Sequence, residues 1–163
     1  ERSILKIFLQ KEVDEMITHY LVFLFKIFLT SILASLIGLN RGKKGVPVGQ
    51  RTHVIVALIA LLVQNASSFG TDTMRLSGQF LTGIGFLCSG VIFKSPDATK
   101  VRGLTTSAVV FFCGILGIVI GLNMYFEAII TTLVVLFFLY DPFKIDKQFN
   151  SKSKKKGKKK NDK

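Results

Sequence analysis

The stretch GLTTSAVVFFCGILGIVIGLNMYF, Gly103 to Phe126, holds 24 consecutive residues without Asp, Glu, Lys or Arg. A helix on the surface of a soluble domain breaks its apolar stripe with charge every few residues. A charge-free run of this length instead matches a bilayer, whose hydrocarbon core of about 30 Å takes about 20 residues of helix. Working outward, Thr52 to Thr71 is charge-free for 20 residues and Leu76 to Phe93 for 18. Tyr20–Leu39 is apolar apart from Lys26, and Met124–Tyr140 is apolar apart from Glu127 near its start. Five apolar segments follow: 20–39, 52–67, 76–93, 103–120 and 124–140. Gly121-Leu122-Asn123 makes the last two a tight helical hairpin. The expected fold class is all-α, a polytopic membrane helix bundle of about five transmembrane helices.

The loops set the orientation. Arg41, Lys43, Lys44 and Arg51 fill the first, Arg75 beside Asp72 the second, and Lys94, Lys100 and Arg102 the third. Positive charge stays on the cytoplasmic side. Loops one and three and the C-terminus are therefore expected in the cytoplasm and the N-terminus outside, in a multi-pass plasma membrane protein. The net charge of +12 comes largely from a Lys-rich end, since Lys144 to Lys163 holds ten Lys and two Asp. With no interleaved aromatics beyond Phe149, this end predicts a disordered cytoplasmic flank attracted to anionic lipid and no nucleic-acid partner. The domain reading is 1–19, an amphipathic, extracytoplasmic segment; 20–140, the transmembrane domain; and 141–163, the tail.

Helices in lipid associate through close backbone approach. Small residues stand at helical spacing: Ser31, Ala34, Ser35 and Gly38 on the first segment, Gly83, Ser89 and Gly90 on the third, Gly114, Gly117 and Gly121 on the fourth. Gly83-Ile84-Gly85 is only a fragment of a dinucleotide fingerprint, so no cofactor is expected. Cys88 and Cys113 read as small buried hydrophobes.

Three polar groups are candidate site residues. Asn40, Arg41, Arg51, Thr52, Arg102, Thr105 and Thr106 gather at the cytoplasmic ends, where helix N-termini and Arg suit an anion, or simply cap helices and obey the charge rule. Gln64, Asn65, Asp72, Arg75 and Gln79 form an outer cluster in which Asp72 and Arg75 are spaced for a local ion pair. Lys26 and Glu127 lie inside spans at similar depth, and either pair with each other or snorkel to the interface. No metal site is expected, because Glu127 is the one membrane-region carboxylate, with Asp72 and Asp97 in loops. His19 and His53 lack a nucleophile or carboxylate at recognisable spacing, so no enzyme is expected.

Four stretches carry a family resemblance: Leu36-Ile37-Gly38-Leu39-Asn40-Arg41, Gly49-Gln50-Arg51-Thr52-His53, Arg75 followed by Gln79 through Ile92, and Val101-Arg102-Gly103-Leu104-Thr105-Thr106-Ser107-Ala108. In these the chain resembles the MgtC/SapB family of bacterial membrane proteins. The resemblance implies a helical inner-membrane protein tied to growth at low magnesium, in some members to survival inside host cells. It also implies a regulator acting on a membrane partner such as the proton-translocating ATP synthase. Asn40 stands where the family usually has Glu, and Lys100 where the best-known member has Asn. Many members carry a soluble C-terminal domain where this sequence shows the Lys-rich tail. The function expected is a regulatory or adaptation factor. The alternatives are a small ion or solute transporter or channel, alone or as a homo-oligomer, and an anion- or lipid-headgroup-binding protein.

Overall fold

The structure is a computed structural model that describes residues 2–42, 48–68, 70, 74–94 and 101–140. Asp72, Asp97, Lys100 and the tail from 141 lie outside the described residues. Among the described residues five helices follow in order: α1 (Arg2–Gly42), α2 (Gln50–Ser67), α3 (Arg75–Ser89), α4 (Leu104–Gly121) and α5 (Tyr125–Leu139). Between α3 and α4, the two-residue strands β1 (Phe93–Lys94) and β2 (Val101–Arg102) pair antiparallel, Phe93 opposite Arg102 and Lys94 opposite Val101. The described residues are all-helical in their regular structure apart from this short clasp. Among the described residues, two helices are long and apolar enough to cross a membrane, Gln10–Asn40 of α1 and the whole of α4, while α5 is a shorter apolar helix.

Helix α1 is continuous where the sequence suggests a boundary near residue 20. The cause is local: no Gly or Pro occurs before Gly38, so nothing interrupts the backbone ladder. The helix runs 41 residues, about 60 Å at 1.5 Å per residue, twice the thickness of a bilayer core. Helix α3 is shorter than its apolar run. It stops at Ser89 with Gly90 as cap, and the chain turns through Val91 into β1.

Helix α4 is the centre of the bundle, and its glycines set the register. A Cβ on Gly114 would lie 2.7 Å from Ile84 Cδ1 and 3.8 Å from Val56 Cγ1. One on Gly117 would collide with the Ala57 carbonyl oxygen and lie 2.7 Å from the Ala60 Cβ. One on Gly121 would lie 2.6 Å from Gln64 Cγ. Contacts on both helices climb together, so α2 and α4 run parallel with their backbones touching. Ser107 Oγ donates to the Cys88 carbonyl at 2.7 Å, so α3 runs antiparallel to α4. Gly38 lies against Gln50, 2.7 Å from its Cα for a notional Cβ, which folds α1 back on α2. The expected packing roles of Gly38, Gly114, Gly117 and Gly121 are thus observed, whereas Gly83 has nothing within 4 Å. Cys88 and Cys113 are buried free thiols.

The core has two parts. Ala34, Ile37, Leu61, Cys113, Leu116 and Ile120 anchor one, between α1, α2 and α4. Val56, Ile84, Cys88 and Val110 anchor the other, between α2, α3 and α4. Both ends of α4 are shaped by special backbone. Gly103 precedes the helix at φ +86°, and any side chain there would run into the Val91 carbonyl. At the other end Asn123, at φ 66°, closes a Schellman turn, with Met124 N–H donating to Val119 O at 3.2 Å and Asn123 N–H to Ile120 O at 3.1 Å.

Replacing Gly117 by Leu should force α2 and α4 apart at a destabilisation of at least about 3 kcal/mol, the upper end for overpacking. Gly83→Leu should leave stability nearly unchanged. Unfolding midpoints of the purified variants in detergent check both.

Candidate functional site

The Schellman turn leaves the Gly121 carbonyl without a backbone partner, and α1 supplies one. Lys26, 9% exposed, donates from Nζ to the Gly121 oxygen at 3.0 Å. An ammonium at a helix C-terminus also complements the negative end of the helix dipole. Beside it, Gln64 packs on Gly121 and accepts a hydrogen bond at Oε1 from Ser77 Oγ. Ser77 Oγ is also 3.4 Å from Ser67 Oγ. Gln64, Ser67 and Ser77 are all buried. This Gly121 end therefore holds a buried polar chain contributed by α1, α2, α3 and α4, in a bundle where an unmet polar group has no water to turn to.

The Lys26–Glu127 pairing is not formed, which corrects one of the two sequence readings. The Lys26 ammonium reaches instead toward the Gly121 end, to the last carbonyl of α4. Glu127 sits in the first turn of α5 and is exposed, because the inward face of that helix is Ala128 and Thr132. Phe25 on α1 instead stacks edge-on against Tyr125, ring centroids 5.8 Å apart. Of the expected outer cluster, Arg75 and Gln79 are exposed and Asp72 lies outside the described residues. The member that enters the interior is Gln64. A cleft of about 370 Å³ opens at this end between α1 and α2, lined by Met16, His19, Tyr20, Phe23 and Asn65.

At the opposite, Gly38 end the structure gathers the end of α1, the start of α2 and the start of α4, but it does not focus the expected cluster on one point. Asn40 and Thr52 are half-buried, Arg51 and Thr105 are exposed, and Thr106 is buried. Arg41 lies in the last turn of α1 and Arg102 in β2. Thr105 lines an apolar groove of about 240 Å³ between α4 and α5, with Phe112, Val135 and Phe138. The buried polar contacts here involve other residues. Gln50 Nε2 donates to Ser35 Oγ, and fully buried His53 donates from Nδ1 to the Gly49 carbonyl at 2.8 Å.

Sequence reasoning missed His53, Ser67 and Ser77 as interior residues. For Ser77 and Gln64 a signal existed, since both are polar residues inside charge-free runs. Thr30 and Thr132 are likewise buried, and their hydroxyls have no hydrogen-bond partner among the described residues. Among those residues no group of three or more His, Cys, Asp or Glu could hold a metal.

A bundle of apolar helices, two of the described ones long enough to cross a membrane, suits a helical membrane protein. The chain belongs to the MgtC family, whose pattern it matches over residues 27–147. It is 36% identical to a Haemophilus influenzae protein described only as uncharacterized, over 72% of this chain and 54% of that protein. It is 31% identical to the putative magnesium transporter YhiD of Escherichia coli K12, over 70% and 59%. To Protein MgtC of Salmonella typhimurium LT2 it is 32% identical, over 64% and 46%. The chain thus spans about half the length of these curated relatives. No solved structure matches it.

Ser77→Ala should destabilise the bundle by about 1 kcal/mol by stranding the Gln64 oxygen. Adding Gln64→Leu should recover part of that loss. A double-mutant cycle on unfolding midpoints checks the coupling, and strictly additive effects would contradict it.

Proposed function

We propose that this protein is a regulatory or adaptation factor of the bacterial plasma membrane, serving growth at low magnesium by contact with a partner membrane complex. The proton-translocating ATP synthase is the partner implied by the family resemblance. The observation that supports this reading is the bare outer face of α3. Gly78, Gly83 and Gly85 have nothing within 4 Å, Gln79, Thr82 and Ser89 are exposed, and Phe86 is 83% exposed. This helix carries the most extended stretch of the resemblance, yet only Ser77, Ile84 and Cys88 of it are buried in the chain's own bundle. Small and hydroxyl residues on a membrane helix suit the backbone of another helix. In this reading all five helices cross the membrane, with the Gly38 end and its Arg and Lys residues in the cytoplasm and the Gly121 end outside.

A second reading, a small transporter, is favoured by the buried polar chain at the Gly121 end. The relative named putative magnesium transporter YhiD is in keeping with it.

Affinity purification from membranes of cells starved of magnesium should recover a membrane complex with the unchanged chain and lose it with Gly85→Leu, which folds normally. Repeated recovery of the chain alone would refute the regulatory reading. Magnesium flux into liposomes holding only the purified protein, abolished by Gln64→Leu, would establish the transporter reading instead. For the topology, a cysteine placed at Asn123 should react with an impermeant maleimide added to intact spheroplasts, and one placed at Gly49 should not.

A further inference from the structure

The two polar ends of the bundle lie close together. At one end Lys26 bonds the Gly121 carbonyl and Gln64 packs on Gly121. At the other, Gly38 lies against Gln50. Along α1, Lys26 to Gly38 is a rise of about 18 Å, and along α2, Gln50 to Gln64 is about 21 Å. The hydrocarbon core of an ordinary bilayer is about 30 Å thick.

Helix α5 shows the same short span on the outside of the bundle. It has 15 residues, about 22 Å of helix. Glu127 stands in its first turn and is exposed. The next charge in the sequence is Asp141, and residues 128–140 between them are 13 without charge, about 20 Å of helix. An exposed carboxylate belongs at headgroup level, and a Glu side chain lacks the long stem with which Lys and Arg snorkel.

Helix α1 differs. Tyr20, Leu24, Phe28, Ile32, Leu36 and Leu39 are exposed along it, an apolar face about 28 Å long. A bilayer that fits this face overshoots the apolar length of α5 by about 8 Å. A helix too short for its bilayer thins the bilayer beside it or hides in an oligomer. The outward side chains of α5 decide between these. Phe126, Leu133, Phe137 and Phe138 are bulky and each is more than half exposed. Small residues admit the backbone of another helix, and these large ones hold it off. Flexible acyl chains fill the space between them.

We propose that α5 gathers a thin patch of bilayer along its side of the protein, made of phospholipid with short acyl chains. The patch brings headgroups to Glu127 at one end and to Tyr140, 82% exposed, at the other. It presupposes the crossing of all five helices proposed above, and it needs neither the outer face of α3 nor a partner complex.

The test reconstitutes the full chain in phosphatidylcholine bilayers with dimyristoleoyl, dipalmitoleoyl, dioleoyl or dieicosenoyl chains and measures the thermal unfolding midpoint. The midpoint should be highest in dimyristoleoyl or dipalmitoleoyl lipid and fall by at least about 5 °C by dieicosenoyl lipid. Glu127→Leu extends the apolar run of α5 back through its first turn, so the optimum of this variant should move to the next longer chain. The position of the optimum is the readout, which a general gain or loss of stability in the variant does not imitate. A midpoint that rises steadily to dieicosenoyl lipid would overturn the proposal, as would an optimum unmoved in Glu127→Leu. So would a chain-length response that disappears when the protein is diluted in lipid, the mark of an oligomer. Crossing is read separately by the maleimide labelling of Asn123→Cys and Gly49→Cys. With that labelling as expected, a failed lipid series refutes the thin patch alone. Labelling of both cysteines from the same side refutes the patch together with the topology.

Discussion

The contact of α2 and α4 at Gly117 is the constraint on which the rest of the bundle depends. With no side chain on Gly117, the helix lies against the Ala57 carbonyl and the Ala60 methyl. At that distance the register is fixed to the residue, because a slip in either direction presents Leu116 or Ile118 to the α2 backbone. Lipid offers no apolar drive between helices, so shape at such a seam does what hydrophobic burial does in water. The positions of α1 and α3 follow from it. The former folds back through Gly38 on Gln50, and the latter seats Ile84 over Gly114.

A close-packed seam also dictates where polar groups are met. The parallel run of α2 and α4 ends with Gln64 beside Gly121, at the point where α4 gives up its helical hydrogen bonds. The Schellman turn at Asn123 meets the carbonyls of Val119 and Ile120, and Lys26 meets that of Gly121. Ser77 answers Gln64 from α3. Three helices, α1, α2 and α3, thus converge on the end of α4, Lys26 and Gln64 at Gly121 and Ser77 on Gln64. The hydroxyls of Thr30 and Thr132 stand outside this pattern, buried with no partner among the described residues.

Much of this was legible in the residues themselves. The five apolar runs mark the five helices, because a long stretch with almost no charge has few other uses. The spacing of Gly114, Gly117 and Gly121 reveals a packing face, since i, i+3, i+7 positions line one side of any helix. The Gly121-Leu122-Asn123 hairpin was likewise readable, because Asn tolerates the left-handed backbone that ends a helix. Family membership came from the stretches between Leu36 and Ala108.

What the sequence determined by itself is the composition of each helix: length, apolarity and the face that carries small residues, all local properties of a periodic chain. The tertiary structure alone decided partnership. Lys26 and Glu127 sit at similar positions along their segments, and spacing makes them a plausible ion pair. The rotation of α5 about its axis, set by Ala128 and Thr132 against the bundle, turns Glu127 out and leaves Lys26 to the end of α4. The small residues of α3 look like those of α4 in one dimension, yet those of α4 are buried and those of α3 open. Both differences arise because rotation and neighbour choice depend on the packing of several helices at once, which no single helical repeat encodes.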